Sequence, residues 1–470
     1  MNNSYQKLID AIDGRACAVL GLGVSNLPLT RLLLSLGVAK SITVYDKKGI
    51  DELGEDALAL ADAGVRFVKG FDCICADVIF RSPGIRPDTE GIRKAVESGA
   101  VLTSEMETFL CLTPARTFAI TGSDGKTTST TLTGKFLEKE FTTFVGGNIG
   151  TPLLDRCAEM TENCCAVLEL SSFQLMTLSD APENAAITNL SPNHLDWHVD
   201  LDEYARAKHN IVGDRTKRVV LNADSAHTFQ FGKELLAKGG KEIIFFSSSA
   251  KGYSDISLKG AKLLFLRDGK IVISDGCEES ALLDVSLIRI PGMHNVENYM
   301  AAIGLTYGHV DISVYSDVAK EFCGVEHRLE LVRTKDGVDF YNSSIDSSPT
   351  RTAAALSALD GRDVVVICGG YDKNLSYAPL AHSLCKSARA VVLTGATAHK
   401  IKAALDESPD YDSEKLCVVM AESFEDAVSK AAALGRNGGC VVLSPASASF
   451  DRFKNFMERG RYFKELVNKL

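Results

Sequence analysis

The chain is predicted to be an α/β protein built on parallel sheets, and three observations lead there. Short β-branched runs alternate with helical patterns along the whole length, as crossover connections between parallel strands require. Two strand-to-helix junctions carry glycine-containing turns, Gly21-Leu22-Gly23 and Gly122-Ser123-Asp124-Gly125. The 470 residues exceed what one hydrophobic core organises. At roughly 100–200 residues per domain, two to four domains are expected.

In chain order, the first unit runs from the strand Ala16 to Leu20 through the glycine turn into an apolar helix pattern, Leu27 to Leu36. Ile42 to Tyr45 is a second strand ending at Asp46, and Asp77 to Phe80 leads into the turn Ser82-Pro83-Gly84, with one more β-α repeat to about residue 104. A second series opens at Thr117 to Ile120 and continues with strands near Ala166 to Leu170, Ala185 to Asn189, Val219 to Asn222 and Ile243 to Phe246. Leu263 to Leu266 and Lys270 to Ile273, joined by Arg267-Asp268-Gly269, read as a hairpin inserted in that series. A third series holds Val364 to Cys368, Ala390 to Thr394, Leu416 to Met420 and Val441 to Ser444. Domains are therefore expected over 1–104, 105–324 and 325–470.

Composition narrows the function. With 51 Lys and Arg against 61 Asp and Glu, the net charge is −10, which disfavours nucleic acid as a partner. The thirteen cysteines are scattered without a C-x-x-C pair, so zinc ribbons and thioredoxin-type motifs are excluded and reduced thiols are expected. The first residues lack a basic and then apolar leader, and no run approaches the ~18 apolar residues of a membrane span. A cytoplasmic location away from membranes is the expectation.

The most informative stretch is Thr121-Gly122-Ser123-Asp124-Gly125-Lys126-Thr127-Thr128, which follows an apolar strand and opens a helix pattern through Leu137. Glycines let backbone N–H groups approach phosphate oxygens, and a helix N-terminus adds partial positive charge. Lys126 would neutralise the β- and γ-phosphates of ATP, and Thr127 could hold Mg²⁺. The loop is two residues shorter than G-x-x-x-x-G-K-[ST], and an ordinary strand-to-helix turn is the alternative. In the first unit, Gly21-x-Gly23-x-x-Asn26 with Asp46 resembles a dinucleotide fingerprint, which would suit an oxidoreductase. Its third glycine is replaced by Asn26, and Lys47-Lys48 follow the acid, so any nucleotide diphosphate could use the turn, or none.

Several motifs together resemble the Mur ligase family, ATP-dependent amide ligases of peptidoglycan precursor synthesis. They are the phosphate loop, Gly146-Gly147-Asn148-Ile149-Gly150, Glu169-Leu170-Ser171-Ser172-Phe173-Gln174-Leu175, His294-Asn295-x-x-Asn298 and His327-Arg328. The segments Glu169 to Leu175 and Ser444 to Phe456 together resemble the branch that adds D-glutamate, and the latter argues against sister ligases adding L-alanine, a diamino acid or glutamate to folate.

The resemblance implies three domains: a Rossmann-like N-terminal domain, a central P-loop ATPase domain with a parallel sheet and a Rossmann-like C-terminal domain. It implies that Leu22, Val24, Ser25, Asn26, Asp46, Lys47, Lys48, Ser82, Pro83 and Gly84 hold the UDP moiety of UDP-N-acetylmuramoyl-L-alanine. ATP would lie against Gly122, Ser123, Asp124, Gly125, Lys126, Thr127, Thr128 and Asn148, with Asn295 and Asn298 at adenine and Arg328 reaching the nucleotide. D-glutamate would meet Lys373, Ser449, Phe450 and Phe456. One Mg²⁺ would sit on Thr127 and the phosphates, and a second on Glu169, His194 and a carbamylated Lys208. Lys126, Glu169, His194 and Lys208 are thus the implied catalytic groups of a monomeric enzyme.

From the residues alone, Lys208 could be a surface helix lysine, Glu169 a strand-end carboxylate, Asn295 a helix cap and Lys373 a solvated loop cation. His194 and His198 share the loop Asn193 to His198, and only His194 matches the family's metal position. Two departures stand out: Asp124 replaces the usual Asn, and Ser343 replaces an acid that contacts the ATP ribose. Asp346 is a candidate to compensate. An idle nucleotide-binding module would bind ATP without turnover.

Overall fold

Among the residues described in the computed structural model (3–191, 197–256, 258–373 and 375–470), the strands form three sheets. The first contains β1 (Ala16–Leu20), β2 (Ser41–Asp46), β3 (Arg66–Lys69), β4 (Val78–Arg81) and β5 (Val101–Thr103). All pair in parallel, in the order β3-β2-β1-β4-β5. Cys17 to Leu20 are at most 1% exposed, as a central strand covered on both faces must be. The chain winds from β1 outward to β3 and then returns to β4 on the other side. The reversal leaves a crevice beyond the carboxyl ends of β1 and β4, where open α/β sheets bind ligands.

The second sheet holds β6 (Arg116–Thr121), β7 (Thr143–Gly147), β8 (Cys165–Glu169), β9 (Asn184–Ile187), β10 (Arg218–Asn222), β11 (Glu242–Phe246), β12 (Ala261–Arg267), β13 (Lys270–Ser274) and β14 (Glu279–Asp284). Its order is β14-β13-β12-β11-β10-β9-β6-β8-β7. The expected hairpin is present and continues the sheet at its edge. β12 pairs in parallel with β11, and β13 and β14 extend that edge antiparallel. The reversal occurs at Asp268 (φ 49°) and Gly269 (φ 74°), the paired positive φ that an Asp-Gly hairpin turn supplies.

The third sheet contains β15 (Glu330–Lys335), β16 (Val338–Asn342), β17 (Val364–Cys368), β18 (Ala390–Leu393), β19 (Cys417–Met420) and β20 (Cys440–Leu443), ordered β15-β16-β20-β17-β18-β19. Only β15 and β16 pair antiparallel. Their polar composition hid them in the sequence, although Asp336-Gly337 between them repeats the hairpin signal, with φ 53° and 75°.

The chain divides into two compact units. Residues 1–285 with 296–318 carry the first two sheets, and 286–295 with 319–470 carry the third. Within the first unit, Arg81 joins its two sheets. Only 1% exposed, it donates to the carbonyls of Pro83 (3.3 Å), Ile85 (2.7 Å) and Phe173 (2.9 Å) and to Thr177 Oγ1 (3.0 Å). Burial lowers its pKa to about 10, still charged at neutral pH. Arg86 adds a second tie, to Glu203 and the Trp197 carbonyl. No helix among the described residues is long and apolar enough to cross a membrane.

Candidate active site

The phosphate loop leaves the carboxyl end of β6 and enters the helix Lys126–Glu138. Its two glycines are required by space as well as by dihedral. Gly122 has φ 150°, and a Cβ there would fall 1.8 Å from Thr188 Oγ1. Gly125 has φ 78°, and a Cβ would fall 2.2 Å from Asn298 Oδ1. Lys126 folds back to donate from Nζ to the carbonyls of Gly122 and Ser123, both at 2.8 Å. This holds a cation at the mouth of the helix, whose first-turn N–H groups lack intrahelical acceptors.

Two loop amides are not left for a phosphate. The N–H groups of Ser123 and Asp124 donate to Asn189 Oδ1 (3.1 and 2.9 Å), so Asn189, just past β9, clasps the loop. Ser123 Oγ lies 3.0 Å from the Tyr204 hydroxyl and 2.9 Å from the Ser191 carbonyl. Asp124 is exposed, so the extra charge is turned outward. Thr127 is half-buried and Thr128 buried on the first turn.

Glu169 ends β8 directly beside β6 and β7, in register with Ile120 and Gly147. Its side chain is 2% exposed. Asn148 Nδ2 donates to Oε1 at 2.8 Å, while Oε2 is buried with no hydrogen-bond partner among the described residues. Opposite, the helix Leu201–His209 carries Lys208, 1% exposed, with Nζ 2.8 Å from the Gly122 carbonyl and 3.2 Å from Thr121 Oγ1. Burial first, then the charge of Lys126, push its pKa well below the usual lysine value, against the opposing pull of Glu169 and Asp124. A neutral amine has two hydrogens to donate, which matches two acceptors and leaves a lone pair.

The orphaned, buried carboxylate oxygen of Glu169 suits a hard divalent cation, which takes oxygen ligands. No group of three or more His, Cys, Asp or Glu among the described residues forms a metal cluster by itself. His194 lies outside the described residues. His198 is buried and bonded, Nδ1 to Glu203 (3.1 Å) and Nε2 to Ser172 (2.9 Å), in a packed structural position.

The other predicted groups lie in the loops of the first sheet, in the helix Met293–Thr306 and in the second unit. Asp46 accepts the N–H groups of Leu22 (2.8 Å) and Lys48 (3.0 Å), tying the turn after β1 to the turn after β2. Asn26, 2% exposed, donates to the carbonyls of Leu20 and Gly21, so it braces the turn from inside where a dinucleotide fingerprint has glycine. Val24, Lys47, Lys48 and Gly84 are exposed, Leu22, Ser25, Ser82 and Pro83 half-buried, around the crevice between β1 and β4. Asn298 also accepts from Ser129 Oγ at 3.3 Å, whereas Asn295 donates to the Pro291 carbonyl at 2.6 Å.

In the second unit, Lys373, Arg328 and Phe450 are exposed, Phe456 is half-buried and Ser449 is buried. The rings of Phe450 and Tyr371 meet edge to face with centroids 6.0 Å apart. Asp346 turns inward: its Oδ2 accepts from Ser444 Oγ at 2.8 Å, and burial raises its pKa to about 6. That carboxyl is engaged within the fold, which argues against its replacing the ribose-contacting acid. Arg459, absent from the sequence reading, is 2% exposed and donates to the carbonyls of Ser344 (2.8 Å), Ser447 (3.1 Å) and Ala448 (3.0 Å). It fixes the turn that presents Ser449. Asn189 and Arg459 carried no local signal, because their partners are distant in sequence.

The middle domain of the Mur ligases matches residues 120–306, and the glutamate ligase domain of the Mur ligases matches 327–447. Relatives named UDP-N-acetylmuramoylalanine--D-glutamate ligase share 42% identity (Ruminiclostridium cellulolyticum), 44% (Clostridium beijerinckii) and 43% (Clostridium novyi), each over 100% of both chains. The fold is shared with UDP-N-acetylmuramate-alanine ligase from Thermotoga maritima (TM-score 0.55, 18% identity, 97% of this chain and 99% of that one). It is also shared with MurF from Acinetobacter baumannii (TM-score 0.54, 16% identity, 83% of this chain and 90% of that one). With full-length relatives above 40% identity and two family domains in register with the phosphate loop and the third sheet, the chain belongs to the Mur ligase family.

Proposed function

We propose that this chain is the ATP-dependent ligase that joins D-glutamate to UDP-N-acetylmuramoyl-L-alanine, releasing ADP and phosphate, in the cytoplasmic synthesis of peptidoglycan precursors. The observation that carries the reading is a convergence at the carboxyl edge of β6 and β8. Lys126 stands at a helix N-terminus, Glu169 presents a buried carboxylate oxygen without a hydrogen-bond partner among the described residues, and the Lys208 amine lies against the loop.

The chemistry explains the need for that charge. A carboxylate resists an amine because it is anionic and has no leaving group. An oxygen of the acceptor's alanine carboxylate attacks the γ-phosphorus of ATP, and ADP departs. The D-glutamate amine then attacks the carbonyl carbon of the acyl phosphate, loses a proton, and phosphate leaves as the amide forms. Two anions must meet in the first step, so Lys126 and the helix N-terminus act where charge accumulates. Thr127, Glu169, His194 and Lys208 as its carbamate would hold two Mg²⁺ ions, which neutralise phosphate charge when bound. A carbamate requires a neutral amine to attack CO₂, and the buried Lys208 amine supports it.

The chain would work as a monomer with three domains, 1–104, 105–324 and 325–470, the outer two Rossmann-like. The crevice between β1 and β4, edged by Leu22, Val24, Ser25 and Lys47-Lys48, would take the UDP moiety, and Asn26 and Asp46 would shape its turn. Lys373, Ser449, Phe450 and Phe456 would take D-glutamate, with Asn295, Asn298 and Arg328 at the nucleotide. The engagement of Asn26 in the turn disfavours the dinucleotide-dependent oxidoreductase. Phosphate release from ATP, measured with and without each co-substrate, tests the reading. The expected result is release only with both D-glutamate and the acceptor; release with another amino acid in place of D-glutamate, or none with both, overturns it.

A further inference from the structure

Cys73 and Cys75 lie in the irregular segment 71–77 that connects β3 to β4. Both thiols are exposed, and their Sγ atoms are 4.0 Å apart. Between them Ile74 is only 7% exposed and packs with Leu20, Tyr45, Ile79 and Ile92. That anchor turns both neighbouring side chains outward together. No ladder bonds restrain the segment between the sulfurs; the Cys75 N–H donates to the Tyr45 hydroxyl at 3.3 Å. Cα atoms two residues apart are separated by at most about 7 Å, close to the ~4.4–6.8 Å span of disulfides. Only a side-chain approach of roughly 2 Å is then needed to form the bond.

We infer that Cys73 and Cys75 form a reversible intramolecular disulfide by exchange with a low-molecular-weight disulfide, making this segment a redox-modification site. The thiolate of Cys73 attacks one sulfur of the small disulfide and expels one small thiolate. The Cys75 thiolate then attacks the Cys73 sulfur of the mixed disulfide and expels the second. Two protein thiols are oxidised, the small disulfide is reduced to two thiols, and the two protons pass to the departing thiolates. The close contact with Cys73 raises the pKa of Cys75, and that contact ends once Cys73 carries the mixed disulfide. By contrast, burial pushes the thiols of Cys17 and Cys165 up to about 11 and that of Cys157 to about 12, which keeps them unreactive. Cys277 and Cys417 are exposed with no second sulfur paired to them among the described residues, so exchange there stops at the mixed disulfide. The site lies outside the phosphate loop and does not depend on the proposed reaction.

The folded full-length chain, treated with 2-hydroxyethyl disulfide, quenched and alkylated with iodoacetamide under denaturing conditions, provides the test. Trypsin releases residues 70–81 as one peptide carrying both cysteines. The expected product is that peptide lighter by two hydrogens, without alkyl groups or adducts, and restored to two alkylated thiols by prior reduction. Cys73→Ser is expected to trap a mixed disulfide on Cys75, as Cys277 and Cys417 do in the unaltered chain. A peptide carrying two mixed disulfides, or two alkylated thiols while Cys277 and Cys417 have reacted, overturns the inference.

Discussion

The Nζ of Lys208 lies 2.8 Å from the carbonyl oxygen of Gly122, the residue that opens the phosphate loop. Lys208→Ala is therefore expected to lower ligase turnover by about 100-fold or more, the scale of losing one preorganised electrostatic group. If the working form is a carbamate, formate or acetate restores part of that activity by occupying the vacated space. Lys208→Arg, which fills the space and cannot be carbamylated, stays inactive with either acid. Steady-state rates with and without the acids decide it, and full activity of Lys208→Ala refutes the role.

Gly125 and Asn298 share one small volume. Gly125→Ala forces a Cβ to within 2.2 Å of Asn298 Oδ1 at φ 78°, a conformation costing about 1–2 kcal/mol for an L-residue. The helix mouth shifts, and the KM for ATP is expected to rise about tenfold or more while the protein stays folded. An unchanged KM counts against this loop as the ATP site.

Removal of Arg81 leaves the carbonyls of Pro83, Ile85 and Phe173 without their donor inside the first unit. Arg81→Ala is expected to cost on the order of 3–5 kcal/mol, the scale for breaking a buried charged network. Arg81→Lys recovers little, because an ammonium cannot reproduce the planar fork. The urea midpoint measures both; a change within error for Arg81→Ala denies Arg81 its bracing role.

Glu105, 4% exposed at the start of the helix Glu105–Leu112, accepts from the Leu154 N–H at 3.3 Å. Burial raises its pKa from 4.5 to about 7. An acid with a raised folded-state pKa binds its proton more tightly in the folded form. Its contribution favours folding below pH 4.5, declines as pH rises toward about 7, and is constant above that. The slope reaches at most about 1.4 kcal/mol per pH unit. Glu105→Gln is expected to flatten the thermal midpoint between pH 5 and about 7 relative to the unaltered chain. Parallel profiles for the two proteins contradict the shift.

Ser343, 1% exposed, accepts from the Leu329 N–H at 3.1 Å and lies beside the buried Asp346. Placing an acid there by Ser343→Asp would therefore crowd two carboxyls. The single variant is expected to lose about 1–3 kcal/mol of stability, and Ser343→Asp with Asp346→Ala to regain most of it, the signature of direct coupling. Additive losses in the double variant exclude it.

The sequence exposed most of the strands, because a buried parallel strand must be a short apolar run, as in β1, β6 and β17. It missed β3, β7, β14, β15 and β16, whose short, polar or glycine-containing runs dilute that pattern, whereas the hairpin β12–β13 was legible from its Asp-Gly turn. Gly122 and Gly125 were recognisable from local rules: loop spacing and the freedom of a residue without Cβ. Asn189, Arg81 and Arg459 were not, since each makes at least one contact far along the chain: Asn189 with the phosphate loop, Arg81 with Phe173 and Arg459 with Ser344. The sequence by itself determined the chemistry on offer: a phosphate loop, a cation at its end, and a family set of motifs. Only the tertiary structure decided which groups are desolvated. Lys208 is a solvated helix lysine in any local reading, and it becomes a poor base only because the fold buries it beside Lys126. Solvation is a property of what surrounds a residue in space, and a linear pattern does not contain it.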